Sequence, residues 1–192
     1  MKIRFLLSAL FVLCALIANI NPPSKAFAAK TDDHGGQIVS KYDGFNHETV
    51  ITLQKMKVTC SSARGNFKEA CVSVIAALHC PGIQLDYVRS VNLQLVFATK
   101  DWDQRHPLDQ RSFSVVADGE TYRLGQMTLV GQHTNTLMSE TLEVSMPYKI
   151  FKRIALADNV EFQVGKSSFA LRDKNLSALR DLNNRVKFSA GS

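Results

Sequence analysis

The sequence has little of what most catalytic and metal-binding motifs require. It holds four cysteines, and no two of them stand in a C-x-x-C spacing. Its five histidines, at positions 34, 47, 79, 106 and 133, never fall in the H-x-x-x-H pattern that puts two zinc ligands on one helix face. There is no G-x-S-x-G elbow, which argues against an α/β-hydrolase serine. Gly119 and Gly125 are not followed by Lys-Ser/Thr and do not precede a helix, so they are not a phosphate loop. Internal repeats, low-complexity tracts and interdomain linkers are also missing. No motif for a cofactor is present, and none is expected.

What is there is an ordinary globular composition, 45% hydrophobic and 21% charged over 192 residues. The first 28 residues read as a secretory signal. Lys2 and Arg4 precede an apolar run from Phe5 to Ile20, broken only by Ser8 and Asn19. Asn21-Pro22-Pro23 ends any helix, because proline lacks an N–H and disfavours helix in the residue before it. Ala26-Phe27-Ala28 is a small-x-small cleavage site, so cleavage is expected after Ala28. The alternative is a retained anchor, although a span needs about 20 apolar residues. A lipidated Cys14 is disfavoured by the bulky Leu13 before it. The leader takes Lys2, Arg4 and Lys25 with it and contains no acid. The formal charge of +6 then falls to +3, too mild a balance for a nucleic-acid partner. No transmembrane span is expected after signal cleavage.

The expected organisation is a signal peptide over 1–28, a mobile lead over 29–36 and one domain over 37–188. Strand signals dominate that domain. Gln37 to Asp43 is a short strand and Gly44 to His47 a turn. In Glu48 to Cys60, Ile51 and Leu53 share one parity and Met56, Val58 and Cys60 the other. This places a β-bulge near Gln54-Lys55. Phe67 to Cys80 and Val88 to Ala98 are strands, the second with Val91, Leu93, Leu95 and Phe97 on one face. Ser112 to Ala117 and Thr121 to Val130 flank Asp118-Gly119, a type I′ hairpin signal. Gly131 to Ser139 reads as a polar connection and Glu140 to Met146 as a strand.

The period then changes. Ile150, Phe151, Ile154 and Ala155 form a helical stripe behind Pro147. Asn159 to Val164 and Ser167 to Leu171 are a hairpin across Gly165-Lys166. Asp173 caps a last helix lined by Leu176, Leu179 and Leu182. The fold class is therefore mainly β, an antiparallel β-sandwich or open barrel of about seven to nine strands with two late covering helices.

Three cysteines remain in the mature chain: Cys60, Cys71 and Cys80. In an exported chain they allow one disulfide and leave one thiol over. On one strand Cys71 and Cys80 are nine residues apart, roughly 30 Å, and cannot bridge. Cys60 and Cys71 flank a turn-like segment and are the candidate disulfide, leaving Cys80 free. The 100–110 loop is the densest polar and aromatic cluster. Its residues Asp101, Trp102, Asp103 and His106 are a candidate binding loop, although it lacks the glycine and downstream glutamate of a calcium loop.

Three segments, YDGFNHETVITLQKMKVT at 42–59, FSVVADGETYRLG at 113–125 and MPYKIFKRIALADNVEFQVGKSSFALRDKNLSALRDL at 146–182, come in a familiar order. This order resembles a loose group of uncharacterised exported bacterial β-sandwich proteins and lipoproteins. The resemblance covers most of the mature chain. It implies a β-sandwich and an envelope location, and it supplies no catalytic residue. The three cysteines stand outside its pattern.

The expected function is thus an exported, non-catalytic β-sandwich module with a binding, accessory or structural role in the cell envelope, periplasmic or secreted, with another envelope protein as partner. One alternative is a small periplasmic hydrolase with its site in the 100–110 loop. Another is a redox or metal-handling protein using the cysteines. A hydrolase calls for a pocket converging polar groups near Trp102. A redox protein calls for two exposed thiols within bridging distance. A binding module calls for an exposed apolar patch or an unpaired sheet edge.

Overall fold

Alternating apolar residues build the scaffold. β3 (Glu48–Val58) buries Ile51, Leu53, Met56 and Val58, β4 (Cys71–Pro81) buries every second side chain from Val72 to Cys80, and β5 (Ser90–Thr99) every second one from Val91 to Phe97. Ile51, Leu53, Val74, Ala76, Leu78, Val91 and Leu95 are each 1% exposed or less. The molecule is described from a computed structural model, which covers residues 27–28, 34–58, 71–99, 108–134 and 138–186. The remaining strands are β1 (Phe27–Ala28), β2 (Gln37–Asp43), β6 (Ser112–Ala117), β7 (Glu120–Gln126), β8 (Thr128–Thr134), β9 (Met138–Met146), β10 (Val160–Val164) and β11 (Ser167–Leu171). The helices are α1 (Tyr148–Leu156) and α2 (Asp173–Asn184).

The strands form two antiparallel sheets. One has seven strands in the order β1-β2-β3-β4-β5-β9-β8, and the other four in the order β11-β10-β6-β7. The mainly β class with two late helices is therefore what the chain adopts. The inward faces of both sheets and the stripes of both helices share one core. Phe97, 3% exposed on β5, and Phe151, 1% exposed on α1, both belong to it. The helices complete the cover over the wider sheet. α2 packs on β3 and β11, where Asn175 Nδ2 donates to the Lys57 carbonyl at 3.0 Å, and α1 lies against α2, β5 and β6.

One turn and one bulge fall where the sequence placed them. Asp118 and Gly119 have φ of 47° and 86°, the paired left-handed conformation of a type I′ hairpin. The β3–β4 register shifts between Leu53 and Met56, so the bulge at Gln54-Lys55 keeps Met56 and Val58 facing inward.

Three expectations are corrected. Thr121 to Val130 is not one strand. Gly125, at φ 86°, sits where the β6–β7 register shifts. The chain leaves the four-stranded sheet there and enters the other as β8, with Met127 buried between them and its N–H bonded to the Arg111 carbonyl at 2.8 Å. Gly131 to Ser139 is not a connection throughout, because β8 runs on to Thr134 and β9 begins at Met138. Asp173 is also the first residue of α2 rather than its cap. The Arg172 N–H ahead of it is satisfied by Asn175 Oδ1 at 3.1 Å.

At the N-terminal side, Phe27 and Ala28 pair with Ser40 and Val39 of β2. His34 is 8% exposed; its Nδ1 accepts the Gly36 N–H at 3.1 Å, and its Nε2 lies 3.5 Å from Asp181 of α2.

Gly165 supports a direct test of packing. It turns β10 into β11 at φ 56°, and a Cβ there would stand 2.5 Å from the Gln110 carbonyl oxygen, a backbone atom with little room to move. Gly165→Ala is expected to cost about 2–4 kcal/mol, combining left-handed backbone strain with overpacking. Gly119→Ala, where the Cβ would meet open space, should cost only the backbone strain of about 1–2 kcal/mol. Urea unfolding of the two variants checks this, and equal losses would contradict the close approach.

Candidate functional site

The candidate site occupies one end of the larger sheet, where the β2–β3 turn and the β4–β5 loop meet. The turn is preorganised by Asp43. Its carboxylate accepts the backbone N–H groups of Phe45 at 2.9 Å and Asn46 at 3.3 Å, and the Asn46 side-chain amide at 2.8 Å. Those donors, led by the Phe45 N–H, hold the Asp43 carboxyl below its usual range. His47 completes the turn in the left-handed region at φ 52°. The two loops are tied together. Gly82 donates its N–H to the His47 carbonyl at 2.7 Å, and Thr49 Oγ1 donates to the Gly82 carbonyl at 2.8 Å.

This rigid frame displays apolar side chains to solvent. Phe45 is 90% exposed, Ile83 75%, Tyr87 59% and Tyr42 38%. Behind them the polar groups are paired. Glu48 is a nearly buried carboxylate on the outward parity of β3. His79 Nδ1 lies 3.1 Å from Glu48 Oε1 and Arg89 lies 3.7 Å from Glu48 Oε2. A carboxylate only accepts, so Nδ1 carries the proton of that contact. His79 Nε2 is buried without a hydrogen-bond partner, and no hydroxyl or thiol among the described residues donates to it. The pair is thus an oriented imidazole with no nucleophile attached to it.

Among the described residues Cys80 is a free, buried thiol. Burial pushes its pKa up to about 11, and the charges of Asp86 and Glu48 add to the shift. Such a thiol is neutral at physiological pH and a poor nucleophile. The other sequence candidates fall elsewhere. Cys60 and the loop residues Asp101, Trp102, Asp103 and His106 lie outside the described residues. Of Cys71 only the backbone is described, pairing with Ala98 at the start of β4. Among the described residues no group of three or more His, Cys, Asp or Glu is placed to hold a metal ion, and no helix is long and apolar enough to cross a membrane.

A concavity lies between α1 and the β6–β7 hairpin, about 330 Å³ in volume, lined in part by Asp118, Glu120, Tyr122, Arg153 and Leu156. Its polar groups satisfy one another. Arg153 Nη1 reaches Glu120 Oε2 at 3.0 Å, and Tyr122 donates to the same oxygen at 2.6 Å. Both ends of the Arg153–Glu120 pair are more than half exposed, so it adds little stability. Asp118 serves the fold: its carboxylate accepts the N–H of Asn159 at 2.8 Å and of Asp158 at 3.1 Å, fastening the end of α1 to the hairpin.

These donors hold the Asp118 carboxyl below its ordinary value, the Asn159 N–H first. A depressed pKa contributes stability above the unfolded value of about 3.9 that is lost as pH falls through the folded value. Asp118→Asn keeps an acceptor and tolerates the left-handed backbone. It is expected to be less stable than wild type at neutral pH, with the gap closing below about pH 4. Thermal unfolding against pH checks this; a gap constant across that range would remove the carboxylate from the account.

Comparison with known proteins gives no matching family model, no matching curated protein and no matching solved structure.

Sequence reasoning identified the turn at 44–47 but not its role. The available signal was an aromatic residue at a turn tip, Phe45, with a second apolar residue, Ile83, directly after Pro81-Gly82.

Proposed function

We propose that the protein is an exported, non-catalytic binding module of the cell envelope, and that its contact surface is the loop end formed by residues 42–47 and 82–89. The observation that carries this reading is the exposure of Phe45 and Ile83 on two hydrogen-bonded loops. Single exposed apolar residues are common on protein surfaces, whereas a group of large ones marks an interaction site. Loops held by a rigid scaffold are where binding residues concentrate. The apolar leader and its Ala26-Phe27-Ala28 site support export. The resemblance of the 42–59, 113–125 and 146–182 segments to exported bacterial β-sandwich proteins supports an envelope location.

The test is a photo-crosslinking residue introduced at position 45 and, as control, at position 168 on the outward parity of β11. Adducts in intact cells are expected from position 45 and not from position 168. Equal patterns at the two positions, or none at either, would overturn the contact surface.

A structural disulfide between Cys60 and Cys71 belongs to the same reading. With Cys80 as the free thiol, unfolded and unreduced mature protein is expected to react with one equivalent of thiol reagent per chain. Three equivalents would exclude the disulfide. Closing a segment of that size removes unfolded-state freedom worth roughly 2–4 kcal/mol.

A further inference from the structure

The last two residues of the segment that reads as a leader belong to the folded sheet. Phe27 and Ala28 form β1, antiparallel to β2, with Phe27 opposite Ser40 and Ala28 opposite Val39. β1 stands outermost in the seven-stranded sheet, and β2 lies between it and β3. On its inner side β2 is paired along its whole length, Gln37 to Asp43 with Gln54 to Glu48. On its outer side, among the described residues, only Val39 and Ser40 have a strand partner, and that partner is β1. β2 does not depend on β1 for its place. Ile38 is 3% exposed in the core. The chain entering β2 is held from the helical side, where His34 Nδ1 accepts the Gly36 N–H at 3.1 Å and His34 Nε2 lies 3.5 Å from Asp181 of α2. Gly36 itself lies against the core, since a Cβ there would stand 2.7 Å from Leu53 Cδ1. β2 also carries an exposed lysine, Lys41. Lysine on a short outer strand is one way in which proteins keep a sheet edge from pairing with other chains. β2 is thus built to stand at an edge, with β1 as an added neighbour.

Ala28 precedes the bond at which the leader is expected to be cut, between the small residues of Ala26-Phe27-Ala28 and the mature chain. From the place of β1 in the sheet we infer that removal of the leader is coupled to folding. The bond after Ala28 is cut while β2 and β3 have yet to pair, and a chain that folds first keeps β1 on β2 and resists cutting. Proteolysis of a folded protein acts on the locally opened state and follows its population, so a processing enzyme must first take β1 off the sheet. The step is a hydrolysis. Water adds across the peptide bond that follows Ala28, leaving a carboxylate on Ala28 and an amine on the next residue. Once the bond is cut, two paired residues hold the leader to β2 and no covalent link does, so the leader leaves and β2 becomes the edge strand. A chain that folds before cutting stays joined to its apolar run. This inference rests on the leader of the proposed function, and its test separates the two.

The test gives a purified signal peptidase in detergent micelles two substrates. One is the folded full chain. The other is a peptide of residues 1–36, which carries the same bond without β2. Product masses locate the cut and give its rate. The peptide is expected to be cut after Ala28. The folded chain is expected to be cut there roughly tenfold more slowly, the effect of holding the segment closed by about 1.4 kcal/mol. Phe27→Gly in the full chain weakens β1 through its backbone and leaves Ala26 and Ala28 in place. It is expected to bring the rate back toward that of the peptide, with the melting of the domain unchanged. Equal rates for the folded chain and the peptide overturn the coupling and leave the leader reading standing. Slow cutting that Phe27→Gly does not relieve places the protection outside β1 and overturns the coupling as well. A peptide that is not cut after Ala28 removes the leader reading, and the inference falls with it.

Discussion

Phe162→Ala is expected to destabilise the fold by about 3–5 kcal/mol, the range for removing a buried phenyl ring and leaving its cavity. Phe162 is 1% exposed at the centre of β10, between β6 and β11. Its ring meets Phe113 at 5.5 Å and 82°, and Phe169 at 5.8 Å and 71°, both edge-to-face. Such pairs add roughly 0.5–1.5 kcal/mol beyond the area they bury. The three rings come from three adjacent strands of the smaller sheet, so the cavity would open where that sheet faces the core. Urea unfolding followed by circular dichroism gives the loss. A value below about 1 kcal/mol, the range of a surface site, would contradict this burial.

A loss of similar size, about 3–5 kcal/mol, is expected for Phe151→Ala on α1. Phe151 is 1% exposed and lies 6.3 Å from the Tyr148 ring, whose hydroxyl donates to Asn183 Oδ1 of α2 at 2.8 Å. The side chain therefore joins the helical layer to the core. Phe97→Ala on β5 removes a second ring from the same core. If the two sites share neighbours, the double variant will lose less or more than the sum of the singles by over about 0.5 kcal/mol. Phe45→Ala is the size-matched control. That ring is 90% exposed, so its removal should stay within about 0.5 kcal/mol.

Most of the strand framework was legible because its signals are local. Alternation along Val91, Leu93, Leu95 and Phe97 needs only a period of two. The parity change from Leu53 to Met56 reveals a bulge by itself, and Asp118-Gly119 fixes its turn through left-handed backbone preference. What was misread depends on more distant contacts. Thr121 to Val130 looks like one strand because nothing in its hydrophobicity marks the change of sheet at Met127. Gly125 is the only hint, a glycine inside a strand pattern, which signals a bulge. Asp173 has the composition of a cap, yet the chain gives that task to Asn175, whose side chain reaches both the Arg172 N–H and the Lys57 carbonyl. The candidate site was less legible still. That Phe45 stays in solvent depends on the Asp43 bonds and on the neighbouring Gly82, and neither contact leaves a periodic trace in the sequence.

The change of sheet at Met127 also governs the order of assembly. β5 and β9 are neighbours in the larger sheet, yet β6, β7 and β8 lie between them in the chain. β6 in turn finds its partner β10 only after β9 and α1 have been made. The pairings are interleaved, so the larger sheet closes across the intervening β6 and β7, and the smaller sheet is completed only by strands that follow β9. Contacts of high sequence separation must close their loops before they contribute stability, which places the domain among slow folders, on the millisecond-to-second scale. Until β9 docks, the outer edge of β5 and its apolar row stay open to other chains, and unpaired edges of this kind are where aggregation begins. A chain threaded across a membrane from its N-terminus would deliver β2 to β5 first and β9 much later. It would have to keep that edge protected during the interval.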